Sequence, residues 1–315
     1  MIGWVFFSFS SVMGGTLTPE LTQERNTDFA PILQDARLQR ELLANAYVMD
    51  QHFNYADVMD GNTDVLLIGE THSDSIPEGD VNLILQNLVQ GRTGITHVGS
   101  EFILSSEQPA LDKFARGEIN YAQLRKAISL DHRAFLAVIG KRYNLRVLGL
   151  DLPKARENVA WAMSPNGLNE RNLAWLQIIK QARNKQPKSK FVIYGGADHT
   201  KKYSRVIKTM PQLLEANGFK TKTIEFVNDK DPLWKQIPVE KSYDVFFIIP
   251  NSLKKAVGAD YVVYTNPQDL SKEDSAQLSR YIDKVDFKDP LQTDACVYDP
   301  ESQVCKTHLR VRRKG

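Results

Sequence analysis

Residues 64–70 read Asp-Val-Leu-Leu-Ile-Gly-Glu and are followed by Thr71 and His72, so an unbroken aliphatic run stops at a glycine and two titratable side chains. A short Val/Leu/Ile run without polar alternation reads as a strand buried on both faces, the pattern of a parallel sheet. Two other segments repeat the design. Residues 95–101 are Ile-Thr-His-Val-Gly-Ser-Glu, and residues 190–199 are Lys-Phe-Val-Ile-Tyr-Gly-Gly-Ala-Asp-His. Between the runs, apolar residues recur at helical spacing, as in Val81, Leu83, Ile84 and Leu88. Strand and helix alternate as far as residue 227, and parallel neighbours need the long crossovers that helices supply. The predicted fold class is α/β: a mainly parallel central sheet flanked by helices on both faces, with a helical N-terminal segment and a polar C-terminal tail. The expected organisation is a leader and helices over 1–62, an α/β catalytic domain over 63–267, and a helix and tail over 268–315.

In open sheets of this kind, ligands gather at the carboxyl ends of the strands. Glu70, His72, Glu101 and His199 all fall there, and Asp151 ends a further strand over 145–153 that Pro153 stops. A single Glu at a strand end is ordinarily solvated, and a single His near a core is ordinarily a packing residue. Recurrence at three strand ends favours a site. Asp74, just past the first motif, and Tyr194, inside the third run, join as supporting candidates. His52, His97 and His132 read as structural or surface residues. Gly195-Gly196 is only a weak signal for an anion cradle. The clearest helix covers 169–183, with Asn169 as its N-cap and Leu173, Trp175, Leu176 and Ile179 on an apolar side.

Two carboxylates and two imidazoles can hydrolyse an amide or an ester. One group activates water, another protonates the leaving group, and a third stabilises the oxyanion. Glu101 is the expected base, because burial raises a carboxylate's pKa toward neutrality. His72 and His199 would then orient water or protonate the leaving group, with Glu70 holding an imidazole in its working tautomer. The same four side chains, Glu70, His72, Glu101 and His199, form an alternative divalent-metal set.

The net charge of +2 argues against nucleic acid as a partner, and the terminal basic run over 308–315 lacks interleaved aromatics. No apolar run is long enough to cross a bilayer. The first fifteen residues resemble the apolar region of a signal peptide, though no Lys or Arg precedes it; export is one reading and a cytoplasmic chain the other. Cys296 and Cys305 are the only cysteines. A bridge between them would contribute roughly 2 to 3 kcal/mol in an oxidising compartment, and two reduced thiols are the alternative.

Taken together, Gly-Glu-Thr-His at 69–72, the strand-end Glu101 and Gly-x-x-His at 196–199 resemble the superfamily that joins ChaN-like haem-binding proteins, erythromycin esterases, Tiki metalloproteases and the endopeptidase domain of bacterial toxins that cleave Ras-type GTPases. The resemblance covers about 64–227, and its spacing is closest to the toxin branch. It implies a hydrolase acting on a protein or small-molecule substrate, by analogy a small GTPase. It also makes Arg171, on the helix before the last site strand, a candidate site residue. The ChaN-like subgroup implies haem instead, although residues 73–80 carry none of the further histidines typical of it. Three classes therefore stand: a hydrolase with no cofactor or a divalent metal, a haem- or metal-binding protein, and a catalytically silent interaction domain.

Overall fold

The computed structural model describes residues 19–49, 53–70, 78–128, 135–239, 244–265, 297–298 and 305–306. His72, Asp74, the leader, the expected helix after residue 268 and Cys296 lie outside the described residues, and so does any pairing of Cys296 with Cys305.

The fold is α/β, built on an eight-stranded sheet. Its strands are β1 (Ala46–Val48), β2 (Val65–Glu70), β3 (Ile95–Leu104), β4 (Arg146–Asp151), β5 (Lys190–Gly196), β6 (Thr221–Val227), β7 (Val245–Ile248) and β8 (Tyr261–Tyr264). Their order is β1-β7-β8-β6-β2-β5-β3-β4. The run from β8 to β4 is parallel, and β7 is antiparallel to both β8 and β1. The three strands that carry the motifs, β2, β5 and β3, are thus consecutive neighbours, with β4 and its Asp151 next in line.

Period-two alternation sends successive side chains to opposite faces. Leu66 and Ile68 of β2 and Val192 and Tyr194 of β5 pack with Val81, Leu85, Leu111 and Leu136 from helices on one face. Val65 and Leu67 of β2 and Phe191 and Ile193 of β5 pack on the other with Trp175, Leu176 and Ile179 of the helix Pro165–Lys185 and with Leu214 of the helix Met210–Ala216. All six residues of β2 are buried, as expected of a central parallel strand covered on both sides.

Several local expectations are corrected. The segment before residue 62 contains, besides the helices Pro19–Gln34 and Ala36–Leu43, the strand β1; three residues with Tyr47 and Val48 half exposed are too few to display a strand period. The helix expected from Asn169 begins at Pro165. Its N-cap is Ser164, whose hydroxyl accepts from the Gly167 N–H at 3.1 Å, and Pro at the first turn forfeits no hydrogen bond. Asn169 instead caps a distant loop, accepting from the Lys208 N–H at 2.6 Å. Leu173 is 50% exposed, because the buried stripe of this helix runs through Leu168, Arg171, Asn172, Trp175, Leu176 and Ile179. The helix after β5 that faces this one starts at Met210, where Thr209 and Gln212 form a capping box.

Candidate functional site

Strand β3 continues past Glu101, and its pairing with β4 slips between Ser100 and Leu104. Such an irregularity re-aims a side chain and is common beside functional sites. Glu101 is consequently buried between β5 and the helix Pro165–Lys185, with one oxygen for each. Oε2 accepts from the Gly196 N–H at 2.5 Å, and Oε1 accepts from Nη2 of Arg171 at 2.5 Å. Glycine at 195 makes the approach possible, since a Cβ there would lie 2.9 Å from Oε2 of Glu101 and 3.1 Å from the Trp175 ring.

Arg171 also holds Asp151. Its Nε lies 2.7 Å from Oδ1 and its Nη2 3.1 Å from Oδ2, a fork against the carboxylate at the end of β4. All three groups are buried. Burial alone would depress the guanidinium, yet the Glu101 and Asp151 carboxylates hold Arg171 above its ordinary value. Burial pushes the Asp151 carboxyl up; Arg171 opposes this and Glu101 adds to it. Two carboxylates face one guanidinium, which is why the second carboxylate adds to the upward push on Asp151.

His199 stands beside this cluster. It lies in the helical turn Ala197–Thr200 that follows β5 and is 1% exposed, with its ring stacked on Trp175 at 4.3 Å between centroids. Nδ1 of His199 is 2.5 Å from Oδ1 of Asn172, and Nε2 is 3.4 Å from Oε1 of Glu101. The Asn172 amide is itself oriented, because its Nδ2 donates to the Lys208 carbonyl at 2.8 Å. Oδ1 therefore faces the imidazole as an acceptor, and Nδ1 of a neutral His199 must carry the hydrogen. That leaves Nε2 as a bare lone pair, buried and without a hydrogen-bond partner among the described residues.

Glu70 belongs to the opposite face of the sheet. Its alternation places it with Ile68, and Oε2 accepts a short hydrogen bond from the hydroxyl of Tyr194 on β5. Glu70, Glu101, Arg171 and His199 nevertheless line one cleft of about 350 Å³ at the sheet's carboxyl end. Of the residues singled out from sequence, the described structure thus brings Glu101, Asp151, Arg171 and His199 into direct contact and seats the Glu70–Tyr194 pair beside them. The expected base changes character: Glu101 is not a carboxyl alone in apolar surroundings, because two donors stabilise its charged form. For a neutral His199, Asn172 is the acceptor that fixes the tautomer. Asn172 and Trp175 were not singled out as site residues, although Arg171-Asn172 interrupts an otherwise apolar helical stripe, the kind of break that marks a buried polar function. His97 is a packing residue, stacked on Phe191 at 4.9 Å. Burial first and Arg146 second push it down to about 4, so it stays neutral.

His72, one of the four side chains of the metal set expected from sequence, lies outside the described residues. Among them no group of three or more His, Cys, Asp or Glu is arranged to hold a metal ion. Nε2 of His199 faces Glu101, whose oxygens accept from a guanidinium and an amide.

No family model matches the sequence, and no curated protein matches it either. Solved structures do match in fold, and they include members of the group that the three motifs resemble. A succinoglycan biosynthesis protein aligns over 73% of this chain and 96% of its own, with 11% identity and a TM-score of 0.51. An erythromycin esterase mutant in its open conformation aligns over 67% and 92%, with 9% identity and a TM-score of 0.47. RRSP, a MARTX toxin effector domain from Vibrio vulnificus, aligns over 65% of this chain but 45% of its own, with 19% identity and a TM-score of 0.40. ChaN of Campylobacter jejuni, with cofacial haem, also matches in fold, at 15% identity and a TM-score of 0.40. At such identities the likeness concerns the fold alone.

Proposed function

We propose that this chain is a hydrolase of a peptide bond or an ester, working by general acid–base activation of water at the Glu101–His199 pair. The observation that carries the reading is the bare Nε2 of His199, buried in the cleft, fixed in tautomer by Asn172 and 3.4 Å from Glu101. In the proposed step, Nε2 takes a proton from water, and the hydroxide adds to the substrate carbonyl. The imidazolium, stabilised by Glu101 and by the Trp175 face, then returns the proton to the leaving nitrogen or oxygen. Arg171 and Asp151 hold Glu101 in place. Glu70, oriented by Tyr194, lines the same cleft.

The substrate is a protein or a small ester, and a small GTPase is the protein candidate suggested by the motif resemblance. The test is turnover of peptide, small-GTPase and ester panels by the purified chain and by His199→Ala, each with and without chelator. Cleavage lost in the variant and indifferent to chelator supports the reading. Activity that vanishes with chelator overturns the metal-free mechanism, and activity that survives His199→Ala removes His199 as the base. A haem-binding role predicts a Soret band on titration that is lost in the same variant.

A further inference from the structure

One wall of the Glu101–His199 cleft comes from outside the sheet. Leu21, Glu24, Arg25 and Asp28 of the helix Pro19–Gln34 line it. The two halves of this helix are held by different forces. In the second half, Phe29 and Ile32 are buried in a large apolar cluster, with Phe29 5.4 Å from the Trp234 ring. In the first half, the one deeply buried apolar side chain is Leu21, which packs in a small cluster with Leu168 and Ile207. The other contacts of that half are charged and polar. Arg25 donates from Nη2 to Oε1 of Glu225 at 3.2 Å and makes a short ion pair with Asp231. Glu24 accepts from the Ser204 hydroxyl at 2.6 Å and the Arg205 N–H at 2.5 Å, and lies 3.3 Å from Nζ of Lys201. Asp28 pairs with Nη2 of Arg205 at 2.7 Å.

Pro31 sits inside the second half of the helix, between Phe29 and Ile32. It has no N–H to give to the Thr27 carbonyl, so the rung that would join the two halves at this point is missing. Polar clasps open at lower cost than an apolar core, since water replaces their partners.

We infer that the first half of the helix Pro19–Gln34 is a strap over the candidate active site, latched by Arg25 on Glu225 and Asp231, and that it swings at the missing rung between Thr27 and Pro31 to admit substrate. The inference rests on the proposed reading of the cleft and deepens it. With the strap shut, a cleft of about 350 Å³ suits a small molecule; with the strap lifted, the carboxyl ends of β2, β5 and β3 face an open groove that an extended polypeptide can enter. The strap is therefore what sorts a protein substrate from a small ester.

The test needs no turnover, so it stands apart from the hydrolase assay. In the full chain, amide hydrogen exchange is followed over 19–28 and 29–34, and the rate of carbethoxylation of His199 by diethyl pyrocarbonate is mapped by peptide mass spectrometry. Arg25→Gln should raise exchange over 19–28 by roughly tenfold or more and speed labelling of His199 several-fold, while 29–34 stays protected. Pro31→Ala, which restores the missing rung, should slow both, and carries the test should Arg25→Gln fail to fold. The inference is overturned if the two halves exchange together in either variant, if exchange over 19–28 is unmoved, or if His199 labelling ignores a faster-exchanging strap.

Discussion

Oδ1 of Asn172 lies 2.5 Å from Nδ1 of His199, while the other end of the same amide is tied to the Lys208 carbonyl at 2.8 Å. The side chain thus transmits the orientation of a backbone group to the imidazole and decides which nitrogen is bare.

Replacing Asn172 with Leu removes that instruction while keeping volume. The expected result is a folded chain whose turnover drops roughly 10- to 100-fold, the usual cost of losing a group that orients a working imidazole. Nitrogen-15 shifts of His199 provide a reading that a merely structural role would not move. The neutral ring should change from a single Nδ1–H tautomer to a mixture. A ring that keeps its tautomer would show that Asn172 does not set it.

On a genuine substrate, Glu101→Gln and His199→Ala should each lower turnover by roughly 10² to 10⁴, and the double variant should lose little more, because groups acting in one step are not additive. Initial rates for the four proteins decide it. Losses that multiply would place the two side chains in separate steps, and full activity in Glu101→Gln would take that carboxylate out of the mechanism.

Arg171→Met should destabilise the fold by about 3 to 5 kcal/mol, since it strands two buried carboxylates that share one guanidinium. Urea denaturation with an unchanged m-value is the measurement. A cost below about 1 kcal/mol would mean that water reaches the cluster and that its charges are screened as surface pairs are.

Glu225 gives the stability a pH dependence. Burial pushes its carboxyl from an ordinary 4.5 up to about 7; Arg25 opposes the shift and Asp231 adds to it. A carboxyl with a raised value binds its proton more tightly in the folded chain than in the unfolded one. Its contribution to stability is therefore fully present below about 4.5 and is lost as the pH rises through about 7. Glu225→Gln should remove that loss, so that the variant gains on the parent between about pH 5 and pH 8. Melting curves that run parallel across this window would exclude a titrating Glu225.

The strand ends were legible because they depend on short-range patterns. The aliphatic runs of β2 and β5 end in glycine and charge, and a parallel sheet that buries such runs places their carboxyl ends at one edge. Asp151 followed from the same logic, and Arg171 from the motif resemblance. The helix boundary at Pro165 was misplaced because Ser164 competes with Asn169 as the cap.

What the chain's own pattern determined, then, is the α/β class, the adjacency of carboxylates and imidazole at strand ends, and the absence of any described helix long and apolar enough to cross a membrane. Only the tertiary structure decided their chemistry. The slip in β3 swings Glu101 onto Arg171, the strand period puts Glu70 on the other face with Tyr194, and a helix from residues 19–34 brings Arg25 to Glu225, 200 positions away. A sequence pattern records which residues prefer to be buried or helical, because those preferences act over a few residues. Which buried charge meets which donor depends on register and on the packing of distant elements, and that is settled only when the whole sheet closes against its helices.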